Sequence, residues 1–330
     1  MTRRRQVVGS GVAAMVGGRA LAQAARRLPR IAILANLVAA DDLAGADPRD
    51  TSYRALIHAL RDLGHVDGQT VQIERATAEG ELQRVPALLR GLVAGGPDVL
   101  IVSGAPSVAA ARAITRTVPI VGITGVEGHV QSLSRPGGNV TGLSNSAGPG
   151  LFVKRLELLK EAVPGATQIV VLRTPPQKGR RAWTGSIEAA ARRLGVVLSV
   201  AAAERARDLD AAFASMTRGR PHALLCADHV VYYGARRRIA AFALRERLPS
   251  MYAERQYAVS GGLLAYGATF ADLFVRAAAH VDRILKGTPP AELPVEQPDR
   301  FELSINVGTA RALGLEIPPA LRLRADTLIE

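Results

Sequence analysis

Short apolar runs alternate with stretches of helical spacing along nearly the whole chain. Within residues 30–36 the run Ile31 to Ala35 is uninterrupted, the mark of a strand buried on both faces of a parallel sheet. In residues 50–63, Tyr53, Leu56, Ile57, Leu60 and Leu63 share one helical face, and Gly64 closes the helix. The alternation continues with strands at 71–73, 98–102, 118–123 and 139–143. A helix is predicted at 82–93, and another from the turn at 103–107 through Thr115.

After the polar Gly/Pro/Ser stretch 144–150 the pattern starts again. Helices are predicted at 151–161, 181–194, 209–216, 229–247 and 270–285, with a short one at the end of the chain. Strands are predicted at 168–172, 196–200, 223–227, 250–253, 262–265 and 301–305. Two successive βα runs of similar length predict an α/β protein of two doubly wound parallel-sheet lobes joined by a hinge. The expected division is a leader over 1–22, then one lobe from 23–147 plus about 267–290. The other lobe takes 148–266 plus about 291–330. The chain is expected to cross between lobes near 145–150, near 266–269 and in the Pro-rich stretch before Phe301.

The first 22 residues depart from this pattern and read as a signal peptide. Arg3, Arg4 and Arg5 precede an apolar run from Val7 to Val16, and Ala20-Leu21-Ala22 supplies a small-x-small cleavage pattern before Gln23. The arginines followed by Val7 and Val8 resemble a twin-arginine export signal, with the general secretory route as the alternative. No cysteine follows the run, so a lipid anchor is not expected. The predicted location is periplasmic, as a soluble mature protein.

Composition narrows the function. The 330 residues are 48% hydrophobic, enough for two cores. Net charge is +13, falling to +9 once Arg3, Arg4, Arg5 and Arg19 leave with the leader. Many arginines stand at helical spacing, as solvated helix faces do, and no nucleic-acid reader motif accompanies them. Aromatics at 4% argue against an aromatic-lined sugar cleft. The single cysteine, Cys226, lies in an apolar run and reads as a core residue, with no disulfide inside the chain. No nucleophile elbow, phosphate-binding loop or zinc motif occurs, and the six histidines are scattered, so neither an enzyme nor a metal or cofactor site is expected.

Ligands of open α/β sheets bind beyond the carboxyl ends of the strands. The turn Ser103-Gly104-Ala105-Pro106-Ser107 joins a strand end to a helix start, whose free N–H groups and partial positive charge suit an anion. Ser107 serves equally as a helix cap. Other polar strand ends are Asn36, Thr124 with Glu127, Thr141 and Asn145 in the first half, and Asp228, Tyr252 and Tyr266 in the second. An anion site on one lobe facing Asp228 on the other would suit a zwitterion such as an amino acid.

A series of motifs carries a resemblance. They include Arg30-Ile31-Ala32-Ile33-Leu34, Leu60-Arg61-Asp62-Leu63-Gly64 and Ser134-Arg135-Pro136-Gly137-Gly138-Asn139-Val140-Thr141-Gly142. Leu156-Glu157-Leu158-Leu159-Lys160-Glu161, Gly261-Gly262-Leu263-Leu264-Ala265-Tyr266-Gly267 and Leu293-Pro294-Val295-Glu296-Gln297-Pro298 follow in order. Together they resemble the bacterial ABC-transporter substrate-binding family that includes tryptophan/tyrosine-type receptors, with a type I periplasmic-binding-protein fold. The resemblance implies a monomeric, non-enzymatic receptor. It would close on one small polar solute and deliver it to an inner-membrane permease with its ATPase. A periplasmic sensing subunit is the alternative. The family's cleft positions map to the Ser103–Ser107 turn, Thr124 and its successors, Thr141, Asn145, Asp228, Tyr252 and Tyr266. Two segments depart from the family's pattern: Gly125-Val126-Glu127-Gly128 where relatives usually read Thr-Asp-Pro, and Pro175-Pro176-Gln177-Lys178 where a shorter Asn-Pro turn is common.

Overall fold

The structure, a computed structural model, describes residues 27–145, 149–175 and 184–330. The leader, Trp183 and most of the Pro175–Lys178 departure lie outside the described residues. In the first half, the elements in chain order are β1 (Arg30–Ala35), α1 (Ala40–Leu43), α2 (Thr51–Asp62), β2 (Gln72–Thr77), α3 (Val85–Ala94), β3 (Val99–Ser103), α4 (Ala105–Ile114), β4 (Ile120–Ile123) and β5 (Val140–Leu143). The second half begins with α5 (Pro149–Ala162), β6 (Gln168–Arg173), α6 (Gly185–Arg193), β7 (Val197–Ala202), α7 (Leu209–Gly219) and β8 (Ala223–Cys226). It continues with α8 (Val230–Gly234), α9 (Arg236–Arg245), β9 (Ser250–Tyr252), α10 (Arg255–Val259), β10 (Leu264–Ala268) and α11 (Phe270–Leu285). Last come β11 (Phe301–Asn306), α12 (Val307–Leu313), α13 (Pro319–Leu323) and β12 (Thr327–Ile329).

The strands form two sheets, in the orders β2-β1-β3-β4-β5 and β12-β11-β10-β9-β8-β6-β7. The first is parallel throughout. Apolar side chains fill both of its faces: α2 and α11 cover one, α3 and α4 the other. The second sheet is sandwiched the same way, by α5, α12 and α13 on one face and by α7, α8, α9 and α10 on the other. Cys226 is buried there as a free thiol among Phe213, Phe242 and Tyr257, the core role expected of it.

The chain passes between the sheets three times: between β5 and α5, between β10 and α11, and between Glu296 and β11. The third passage lies in the Pro-rich stretch before Phe301, a few residues past the division near 290. Leu293 and Val295 pack into the first lobe, and Glu296 pairs with Leu143 at the end of β5. Residues 291–297 therefore belong with the first lobe, not the second, because their apolar side chains alternate toward its cores. The return from the end of β5 brings the chain into the second sheet where β10 finishes, so β11 runs antiparallel to β10. One long predicted helix at 229–247 is two, α8 and α9, parted at Ala235 just after Gly234. Glycine is a poor helix former, and this one lies against Leu37 of the other lobe, where a larger residue would crowd it.

The candidate ligand-binding cleft

The carboxyl ends of β1, β3, β4 and β5 face those of β8 and β9 across a cavity of about 460 Å³ between the lobes. That volume lies in the range of small-molecule sites, roughly 300–1,000 Å³.

On the first lobe, Gly104 adopts φ +81° and turns the chain from β3 into α4, where Ala105 has an N–H with no partner inside the helix, Pro106 has no N–H, and Ser107 donates to the Gly104 carbonyl at 3.1 Å. Asn36, at the end of β1, donates from Nδ2 to the Ser103 carbonyl and accepts from the Ser107 hydroxyl at 2.7 Å. It thereby locks the turn from below. Thr124 stands at φ +69°, an outlying conformation for a β-branched residue. Its N–H donates to the Leu143 carbonyl, which holds the β4 loop in place. Gly125 follows at φ +72°, and a β-carbon there would come within 2.3 Å of the Ala105 nitrogen. The missing β-carbon thus lets the loop press against the start of α4. Beside it, Glu127 accepts a hydrogen bond from the Ser144 hydroxyl.

The second lobe contributes charge. Arg155 of α5, 6% exposed, donates from Nε to the Tyr266 carbonyl at 2.7 Å. Its guanidinium lies in the field of two carboxylates, Asp228 after β8 and Glu254 after β9. Asp228 accepts from the Asn145 amide of the opposite lobe, a hydrogen bond across the cleft. Asp228 is open to the cleft, yet protein surrounds it closely. Burial raises its carboxyl above the ordinary range, while Arg155 and Asn145 pull it back. Glu254 is buried, with one oxygen that has no hydrogen-bond partner among the described residues. Burial and the neighbouring Asp228 push it well above the usual carboxylate range against the pull of Arg155 and Arg236. Gly267 makes room for this cluster: a β-carbon there would overlap the Ala253 carbonyl and lie 3.3 Å from the Arg155 guanidinium.

Five aromatic residues complete the walls: Tyr53, Phe152, Tyr233, Phe270 and Phe274. Tyr233 stacks on Phe270 with ring centres 5.9 Å apart, bringing a helix of each lobe together. Phe274 meets Tyr53 edge-on at 4.9 Å. The low aromatic content argued against an aromatic-lined sugar cleft and gave no sign of this wall. Composition averages over the chain and is silent on where the few aromatics collect.

Of the residues picked out from the sequence, Asn36, Ser103, Gly104, Ala105, Pro106, Thr124, Glu127, Asn145 and Asp228 line the cavity. Four do not, and each has a different role. Ser107 is fully buried beneath Asn36. Thr141 is fully buried and donates to the Leu293 carbonyl at 2.6 Å, fastening β5 to the Pro-rich segment. Tyr252 lies inside the second lobe, stacked on Tyr257 at 4.6 Å. Tyr266 stacks on Phe301 and offers the site only its carbonyl. Alternate residues of a strand face opposite sides, so a strand-end position by itself leaves the facing undecided. Sequence reasoning missed Arg155 and Glu254. Arg155 occupies the apolar face of its helix, four residues from both Leu151 and Leu159, and a charge on that face was the available sign. Glu254 follows a strand end as Asp228 does.

Two α/β lobes, three crossings and a lined cleft between them define a solute receptor of the type I periplasmic-binding fold. The sequence profile of the family described as ABC transporter substrate binding protein matches residues 38–329, and the chain belongs to that family. A curated relative, a tyrosine-binding protein of Clostridioides difficile strain R20291, is 25% identical over 284 residues, covering 84% of this chain and 79% of that protein. Among solved structures, a conserved domain protein from Vibrio cholerae aligns with a TM-score of 0.79 at 25% identity, over 92% of this chain and all of the other. An ABC domain from Streptococcus pneumonia in complex with L-Trp aligns with a TM-score of 0.80 at 23% identity, again over 92% of this chain and all of the other. No helix among the described residues is long and apolar enough to cross a membrane.

Proposed function

We propose that the receptor captures an amino acid with an apolar, most favourably aromatic, side chain. It does so outside the cytoplasmic membrane, after export directed by residues 1–22, and passes the solute unchanged to an inner-membrane ABC permease. One observation carries the reading. A single cavity sets the N–H end of α4 and Thr124 on one lobe against Asp228 and Glu254 on the other, with an aromatic wall beside them. The carboxylate of the ligand would meet the Thr124 hydroxyl and the start of α4, where the Ala105 N–H and the helix dipole favour an anion. Its ammonium would meet Asp228, and its side chain would rest among Phe152, Tyr233 and Phe270. The tyrosine named for one relative and the L-Trp bound by another accord with that wall.

A thermal-shift screen of residues 23–330 against the common L-amino acids, their deaminated analogues and sugars tests this. A ligand at about 100 times its dissociation constant adds roughly 2.7 kcal/mol of stability. Aromatic amino acids are expected to raise the melting temperature most, and phenylpropionate, which lacks the amine, to raise it little. Stabilisation by sugars alone, or by phenylpropionate as strongly as by phenylalanine, would overturn the reading.

A further inference from the structure

The chain is strongly basic, yet its cleft is acidic. Asp50, Glu127, Asp228 and Glu254 line the cavity against one guanidinium, that of Arg155. Three of these carboxylates are engaged within the protein. Asp50 caps α2 by accepting from the Ser52 and Tyr53 N–H groups, both at 3.0 Å. Glu127 accepts from Ser144, and Asp228 from Asn145. Glu254 differs: it is 7% exposed, and its Oε2 atom is buried with no hydrogen-bond donor among the described residues. A buried carboxylate without its complement of donors is costly, and the cost is relieved when the group holds a proton or when a cation arrives.

We propose that Glu254 is a ligand-contacting residue which, with Asp228, receives the ammonium group of the ligand and releases its own proton as that group docks. This deepens the amino-acid reading and rests on it. With no ammonium beside it, burial and the lack of a donor to Oε2 favour the protonated form of the Glu254 carboxyl group. The surrounding groups set that state. Asp228 adds to the cost of a charge there, Arg155 from α5 and Arg236 from α9 oppose it, and Tyr257 on α10, itself held neutral by burial, lies in its field. Cys226 on β8 and Tyr233 on α8 also lie in its field, both held neutral by burial. Glu127 reaches the pair from the first lobe, through Asp228. When an ammonium enters, the O–H bond of Glu254 breaks, the proton passes to solvent, and the carboxylate pairs with the ligand nitrogen. The ammonium keeps its own protons, so charge balances. Two carboxylates facing one arginine thus select for a cationic nitrogen and reject carboxylates that lack one.

Proton release makes binding depend on pH and on buffer. Affinity for an ammonium-bearing ligand rises with pH while Glu254 is protonated in the free protein, by at most about tenfold per pH unit for one proton, and levels off once it is ionised. The test is titration calorimetry of the purified protein with L-tryptophan and L-tyrosine as probes. It is run at neutral pH in phosphate and in Tris, whose ionisation heats differ. The expected result is a binding heat that differs between the buffers as release of about one proton per ligand requires. Glu254→Gln, which keeps the shape of the side chain, is expected to bind more weakly and to lose the buffer difference. Equal heats in the two buffers for the unaltered protein would overturn the proton release while leaving the amino-acid reading in place. A buffer difference that survives in Glu254→Gln would remove Glu254 as its source. Failure of both probes, and of every other amino acid, to bind would overturn the amino-acid reading and this proposal with it.

Discussion

At the scale of single residues, the cleft depends on a few positions with no freedom to change. Gly142 adopts φ +135°, and a β-carbon there would come within 2.0 Å of the Gly122 carbonyl on the adjacent strand. Gly142→Ala is expected to cost roughly 2–4 kcal/mol, from strained backbone and overpacking together, read as a lower urea midpoint. Arg155 is the only basic side chain between Asp228 and Glu254 among the cavity-lining residues. Arg155→Met removes the cation that faces Asp228 and the hydrogen bond to the Tyr266 carbonyl, and is expected to destabilise by about 2 kcal/mol at neutral pH. Both carboxyl groups are raised in the folded state, so they take up protons readily, and the penalty should shrink as pH falls from 7 toward 5. A penalty that stays constant with pH would count against the charge argument. Asp228 was legible in the sequence because a carboxylate just past a buried strand is unusual. Glu254 stands just past a buried strand in the same way, so the signal was present there too and the sequence reading used it only for Asp228.

At the scale of elements, the helix pair α2 and α11 holds the first lobe together beneath the aromatic wall. The apolar face of α11, with Leu273, Phe274, Ala277 and Val281, packs against Tyr53, Leu56 and Leu60 of α2. Asp282 fastens the far end: it accepts from Lys286 at 2.8 Å and meets His65 Nε2 at 2.9 Å. Burial alone would raise the Asp282 carboxyl, but these hydrogen bonds outweigh it and hold the group below the ordinary range. A carboxylate depressed by folding stabilises above its unfolded value and loses that contribution as pH falls through the folded one. Asp282→Asn is therefore expected to cost about 1 kcal/mol at neutral pH. The two proteins should converge below about pH 4, near the unfolded carboxylate value. Thermal melts at several pH values check both. The helix α11 was legible over its full length from spacing alone. The pairing of His65 with Asp282, 217 residues apart, was not.

At the scale of the whole molecule, three chain passages allow the lobes to move as units about a cleft that both must complete. The Asn145–Asp228 hydrogen bond, the Tyr233–Phe270 stack and the approach of Gly234 to Leu37 are among the contacts that span it. A ligand that bridges the helix start and the carboxylates binds the closed form better and so shifts the population toward it. Small-angle scattering is expected to show a smaller radius of gyration with the stabilising amino acid than without. Asp228→Ala, which cuts the interlobe bond, is expected to reduce that change; an unchanged response would show that closure does not run through this residue.

The sequence by itself determined what is local and periodic. Apolar runs and helical faces specify strands and helices because burial on one or both sides leaves its period in the chain, and the restart after residue 150 specified two lobes. It also marked strand ends, among them Asn36, the Ser103–Pro106 turn, Thr124 and Asp228, all of which line the cavity. Only the tertiary structure decided what depends on facing and on distant partners. It turned Tyr252 and Tyr266 away from the cavity, gathered Phe152, Tyr233 and Phe270 around it, and set Arg155 beside two carboxylates from other parts of the chain. Charge and aromatic contact act through space over a few ångströms, whereas the sequence orders residues only along the chain, so such clusters appear when the fold brings them together.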